Sequence, residues 1–181
     1  MIKEELRFTG SGGQGVILAT VIMAEAAVLA GEYAAQSQSY GPEARGGSCK
    51  AECIISDREI GFTKVTCPTF LMALTQKALD QYAAKLPQTA LVLIDDTLTP
   101  PETLKNNRVV ALPILRTAKE EVGKSFTANI VAVGAVNRLL HLVSEEQISE
   151  AVLLHIPAGT EAINMKALHA GELLADRVSV K

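Results

Sequence analysis

The sequence predicts an α/β fold, a single layered domain with a mixed sheet and an N-terminal unit of strand, glycine-rich loop and buried helix. Three observations carry this. Strand-like and helix-like patterns alternate along most of the chain. A glycine cluster, Gly10 to Gly15, separates the first strand pattern from a nearly continuous apolar run. Two strand patterns joined by a tight turn near the middle add an antiparallel component to a sheet that helical crossovers would otherwise make parallel. With 181 residues, 48% hydrophobic and 20% charged, the chain is long and apolar enough to bury one core, and a single domain over residues 1–181 follows.

Residues 6–9 alternate apolar and polar and read as a short strand. The glycine turn comes next, then a helix from Val16 that stops before Gly31, a residue suited to a left-handed terminus. That helix is apolar on nearly every face, which implies burial on more than one side. Residues 32–36 read as a second strand, and residues 37–48, small, polar and glycine-rich, as a long loop. Residues 49–56 alternate as a strand, and Ser56-Asp57-Arg58 turns into a partner strand through Phe62 and Val65. Pro68 marks a first helical position, with helical spacing over 69–82. Leu91-Val92-Leu93-Ile94 before Asp95-Asp96 reads as a central strand, and residues 109–112 as another. Thr117-Ala118-Lys119-Glu120 and Ser144-Glu145-Glu146-Gln147 carry the capping-box pattern, and helices are expected over 129–140 and 165–176. The helices beyond about Ser144 are expected to pack as an appendage.

Composition excludes several roles. A formal charge of -3, 4% aromatic residues and no Trp supply neither a basic surface nor a stacking platform for nucleic acid. Cys49, Cys53 and Cys67, with no CxxC, read as reduced thiols of a reducing compartment and fall short of an iron–sulfur or zinc ligand set. Cys49 and Cys53 share one face of a strand and read as small core residues. The N-terminal residues form no apolar leader, and the longest apolar stretch, 16–30, is interrupted by Thr20 and Glu25, so a soluble, cytoplasmic protein is expected. His141, His155 and His169 lie too far apart to pair on one helical face around a metal.

Gly10-Ser11-Gly12-Gly13-Gln14-Gly15 satisfies G-x-G-x-x-G between a strand and a helix. Three readings stay open: a dinucleotide site, with Glu32 at about the right spacing but ahead of its strand; a tight turn that lets the helix approach the sheet; or contact with an anion or partner through bare N–H groups. A P-loop is excluded, because neither this stretch nor Gly41 to Gly46 is followed by the required lysine. The second signal is the long loop with Tyr40, Pro42, Glu43, Arg45, Gly46 and Gly47. Arg45 beside two glycines is suited to pair with a carboxylate or phosphate, while the plainer reading has Glu43 and Arg45 solvated in an exposed turn. Candidate binding residues are therefore Gly10, Gly12, Gly13, Gln14 and Gly15 in the first loop and Tyr40, Glu43, Arg45, Gly46 and Gly47 in the second. No nucleophile, acid–base pair or metal cage stands out, and no catalytic residue is assigned.

Together, Gly10-Ser11-Gly12-Gly13-Gln14-Gly15-Val16 and Ser37-Gln38-Ser39-Tyr40-Gly41-Pro42-Glu43-Ala44-Arg45-Gly46-Gly47 closely resemble the gamma subunit of 2-oxoacid:ferredoxin (acceptor) oxidoreductases. The resemblance continues through Ala51-Glu52-Cys53-Ile54-Ile55-Ser56 and the helix start Asn129 to Ala135, and the wording of the second loop is most like the 2-oxoglutarate type. It implies a subunit that is inactive alone, in a complex that decarboxylates a 2-oxoacid oxidatively with coenzyme A (CoA) and passes two electrons to ferredoxin. It further implies alpha and beta subunits that hold thiamine diphosphate and Mg²⁺, and an iron–sulfur cluster in the beta chain or a ferredoxin-like delta subunit. The gamma chain would sit on the CoA side, with no cofactor of its own. Pyruvate, branched-chain or aryl 2-oxoacids are the alternative substrates within the family, and a stand-alone NAD- or FAD-binding oxidoreductase is the alternative outside it.

Overall fold

The computed structural model describes residues 2–40 and 48–179. Six strands form one mixed sheet in the order β2-β3-β1-β4-β5-β6: β1 (Ile2–Ser11), β2 (Tyr33–Tyr40), β3 (Ser48–Ser56), β4 (Phe70–Ala73), β5 (Leu91–Asp95) and β6 (Arg108–Leu112). The strands β1, β4, β5 and β6 run parallel, whereas β3 is antiparallel to both β1 and β2. The antiparallel component is therefore the β2-β3-β1 half of the sheet and not a hairpin after residue 56.

Two helical layers of unequal thickness cover the sheet. On one face lie α1 (Val16–Leu29), α4 (Ala128–Leu140), α5 (Glu145–His155) and α6 (Glu161–Ser179), packed with Leu6, Phe8, Phe70, Met72, Leu93 and Val110 in the main core. On the other, α2 (Gln76–Ala83) closes a smaller cluster with Leu71, Ala73, Val92 and Ile94. The alternation of β1 follows from this: Leu6 and Phe8 enter the main core, and Arg7 turns to the opposite face. There its Nε donates to Glu52 Oε1 at 2.7 Å, and its guanidinium lies 5.7 Å from the centre of the Tyr82 ring.

Several sequence expectations change. The apolar run Phe70–Ala73 is the central strand β4, not part of a helix over 69–82, and Thr75 accepts from Ala78 N–H to start α2 behind it. A four-residue strand buried on both faces shows no alternation, so its pattern is indistinguishable from a helix start. Residues 57–69 form no strand; Glu5 Oε2 instead accepts from the N–H groups of Thr66 (2.8 Å) and Cys67 (2.9 Å), tethering the segment to β1. The second strand is longer than expected: β2 runs to Tyr40 and β3 starts at Ser48, so residues 37–40 and 48 of the segment read as loop are strand.

Thr117-Ala118-Lys119-Glu120 is no cap. The short helix α3 (Ile114–Arg116) runs on into a π-helical turn, Thr117–Val122, and the Thr117 N–H already donates to Pro113 O at 2.8 Å. The capping box at Ser144 does form, with Gln147 N–H on Ser144 Oγ and Gln147 Oε1 on Ser144 N–H. The C-terminal helices are not an appendage: Ile148, Ala151, Val152, Ala167, Leu168, Leu174 and Ala175 belong to the main core. Among the described residues no helix is long and apolar enough to cross a membrane.

Candidate functional site

The chain leaves β1 toward β2 and β3 on one side of the sheet, and leaves β4 toward β5 on the other. In an open sheet, such a reversal opens a crevice beyond the carboxyl ends of the strands. The glycine-rich loop occupies that position. Its base is fixed by register, with Gly10 opposite Cys49 and Ser11 opposite Ser48, while Tyr40 pairs with Cys49 from the far side of β3. The end of β2, the start of β3 and the glycine loop thus share one edge of the molecule. Ser48 Oγ donates to Gln81 Oε1 at 2.6 Å and ties that edge to α2.

Within the loop each residue has a distinct part. Gln14 folds back so that its side-chain oxygen accepts the Ser11 N–H at 2.7 Å, and a Cβ on Gly10 would lie 2.5 Å from that oxygen. Gln14 is therefore a clip across the turn, and this oxygen is spent inside the loop. Gly12 and Gly13 face open space, and Gly13 has φ 91°. Gly15 is the N-cap of α1 at φ 72°, with no side chain capping the helix. The first-turn N–H groups of α1, which have no intrahelical partner, therefore point toward this edge.

The loop is held from behind by a residue that the chemistry of the sequence does not single out. Asn129, at the start of α4 and 4% exposed, places Nδ2 3.4 Å from Gly15 O, and a Cβ on Gly15 would come within 2.5 Å of that nitrogen. Only its inclusion in the family-like stretch marked it, since the contact spans more than a hundred residues of sequence. A cavity of about 490 Å³ opens beside the loop, lined by Ser11, Gly12 and Gly13, by Ile17, Leu18 and Val21 of α1, and by Cys49.

The other predicted site residues fall in two groups. Tyr40 ends β2, at the edge just described. Glu43, Arg45, Gly46 and Gly47 lie outside the described residues. Glu32, the acidic residue of the dinucleotide reading, precedes β2 and pairs with Lys3 at the opposite end of the sheet. At 3.3 Å per residue along β3, that is roughly 25 Å from the glycine loop, beyond reach of a ribose bound there.

Several other titratable groups of the described residues are taken up by structural contacts. Asp95 is fully buried, with Oδ1 accepting from the Thr97 N–H and hydroxyl and Oδ2 from the Leu115 N–H. His155 and His169 sit against Glu25 and Glu172, and His141 ends α4 in the left-handed region. Burial pushes the Cys53 thiol up to about 12 and raises that of Cys49, so both stay protonated and unreactive near neutral pH. Among the described residues no three His, Cys, Asp or Glu side chains gather closely enough to hold a metal ion.

Comparison with known proteins places this geometry. A family model described as pyruvate ferredoxin/flavodoxin oxidoreductase matches residues 5–172. The 2-oxoglutarate synthase subunit KorC of Methanocaldococcus jannaschii is 42% identical over 173 residues, covering 94% of this chain and 92% of that one. The crystal structure of a keto/oxoacid ferredoxin oxidoreductase gamma subunit from Geobacter sulfurreducens superposes with a TM-score of 0.86 at 45% identity, over 97% of this chain and 99% of that one. A 2-oxoglutarate:ferredoxin oxidoreductase from Magnetococcus marinus, solved with 2-oxoglutarate, coenzyme A and succinyl-CoA bound, shares the fold at TM-score 0.87 and 23% identity. There the matching region covers 97% of this chain but only 32% of the longer one.

Proposed function

The chain belongs to the pyruvate ferredoxin/flavodoxin oxidoreductase family, and on that premise we propose that it is the gamma subunit of a 2-oxoglutarate:ferredoxin oxidoreductase. In the reaction of the complex, 2-oxoglutarate and CoA give succinyl-CoA and carbon dioxide, with one proton released and two electrons passed to ferredoxin. Thiamine diphosphate, Mg²⁺ and the iron–sulfur cluster belong to the alpha and beta chains or to a ferredoxin-like subunit. The described residues of this chain offer no donor set that fits a metal or cluster, and no chemical step is assigned to them. We place the complex in the cytoplasm, where reduced thiols persist.

The gamma chain contributes a binding edge on the CoA side. The observation that carries this reading is the meeting, at the carboxyl ends of β1 and β2, of the glycine loop and the two anchors of the second loop, beside the 490 Å³ cavity. CoA carries a diphosphate and a 3′-phosphate, and bare N–H groups at a helix start together with a guanidinium suit such anions. Gly12, Gly13 and Gly15 supply the first. Arg45, in the segment between Tyr40 and Ser48, supplies the second. The choice of 2-oxoglutarate rests on the 42% identity to the archaeal subunit along nearly the whole chain.

Replacing Arg45 with Ala in the assembled complex tests the site. Loss of a charge-assisted contact worth roughly 1.5–3 kcal/mol should raise the apparent KM for CoA about ten- to a hundredfold, with the complex intact. An unchanged KM would remove Arg45 from the site, and a complex that falls apart would make the loop an assembly element.

A further inference from the structure

We infer that the outer face of α1 is the seam on which a larger chain of the complex docks, covering the mouth of the glycine-loop cavity as it does so. This rests on the functional reading above and adds where the partner sits.

Over its fourteen residues α1 carries one ionisable side chain, Glu25, and that charge is turned to a neighbouring helix, with His155 Nε2 of α5 3.3 Å from Glu25 Oε2. The inward side is made of Val16, Ala19, Ile22, Met23, Ala26 and Ala27. Of the residues not buried, Ile17, Val21, Ala24 and Val28 follow one another at helical spacing on one stripe, the first three half-buried and Val28 54% exposed, with Leu18 and Leu29 half-buried to its side. A helix face meant for water carries charges; over roughly 20 Å this stripe has none of its own, and the one charge at its border, Glu25, is taken up by His155. The stripe starts at the site itself, because Ile17, Leu18 and Val21 are also a wall of the 490 Å³ cavity. A second hollow of about 330 Å³, lined by Leu18, Phe126, Asn129 and Ile156, continues the apolar surface past the exposed Phe126 ring.

The occupant follows from how the same fold is used elsewhere. It makes up 99% of the free-standing Geobacter gamma chain but 32% of the Magnetococcus chain, where the other two thirds are joined to it covalently. A free-standing unit must recruit the counterpart of those two thirds through a surface, and an uncharged face that ends at a half-open site is fitted for it. A second copy would instead press one cavity mouth against another and leave neither completed.

The test is co-expression of the tagged chain with the other subunits, comparing Val21→Glu and Val28→Glu with Leu173→Glu, which alters an exposed leucine on α6. The stripe variants should recover at least tenfold less of the larger chain, Leu173→Glu should recover the wild-type amount, and all three isolated chains should keep the wild-type circular dichroism. Val28, being the most exposed of the stripe, decides the matter if Val21→Glu fails to fold. Wild-type recovery by Val28→Glu would overturn the inference. So would an isolated wild-type dimer that Val28→Glu dissociates while the larger chain still binds, since the occupant is then a second copy. A wild-type chain that recovers no larger subunit would sink the functional reading itself.

Discussion

Gly15 has room for hydrogen and nothing larger, since its left-handed backbone and the Asn129 amide 2.5 Å from any Cβ act together. Asn129 in turn has a natural control on its own helix: Asn137 is equally buried and grips Val143 through both amide atoms at the far end of α4, away from the loop. Asn129→Ala and Asn137→Ala should each cost about 1–3 kcal/mol of stability by loss of a buried polar partner. Only Asn129→Ala should also raise the KM for CoA in the assembled enzyme; equal KM values for the two variants would reduce Asn129 to a packing residue. The thiols make a second residue-level prediction. Because burial raises the pKa of Cys53 and Cys49 and the thiolate is the reactive form, a disulfide reagent near pH 8 should label the exposed Cys67 first. Cys53 should react only on unfolding and Cys49, in the wall of the cavity, more slowly than Cys67; three equal rates would contradict the buried assignment. The glycine turn between β1 and α1 was legible in the sequence because the motif is local. Asn129 was not legible from chemistry, because its role depends on a contact with a loop more than a hundred residues away.

Among the elements, the α4–α6 pair shows most clearly what sequence pattern hides. Gly134 and Gly171 let the two helices touch backbone to backbone: a Cβ on Gly134 would lie 2.1 Å from Leu168 O, and one on Gly171 1.9 Å from Val131 O. Read alone, a glycine inside a helix is a weakness of about 1 kcal/mol. Here that cost secures a close crossing, which brings α6 into the main core. Gly171→Ala should therefore destabilise the chain by roughly 3 kcal/mol, at the upper end of overpacking costs, despite the better helix propensity of alanine. For a chain of this size that is a fall of about 6–12 °C in Tm, measurable by calorimetry; a rise in Tm would show that the helices are not in contact. The same non-locality explains two of the misread elements. Buried on both faces, β4 lost its alternation, and α6 looked peripheral because its partner glycine is on another helix. The strand β1 was legible in kind but not in length, since the charged run Lys3-Glu4-Glu5 at its start shows no alternation and Glu5 is held by the N–H groups of Thr66 and Cys67.

At the scale of the molecule, the fold class was legible from alternating patterns, and so was the glycine turn between β1 and α1. Its meeting with the end of β2 was not. It depends on β3 inserting between β2 and β1, a topological fact that places Ser11 beside Ser48 and Cys49 beside Tyr40. That insertion brings the glycine loop to the same edge as the end of β2 and the start of β3, with α1 leading away from it as an apolar wall. A chain that lends a binding edge and a docking face to a larger complex, as proposed above, should be inactive until assembled. Gentle affinity purification of the tagged chain from its native cells, with subunit masses, a visible spectrum and a dye-reduction assay, tests this most directly. The expected result is co-purification of larger chains, the brown absorbance of iron–sulfur clusters, and dye reduction that requires both 2-oxoglutarate and CoA. A colourless single chain that binds NAD would contradict it.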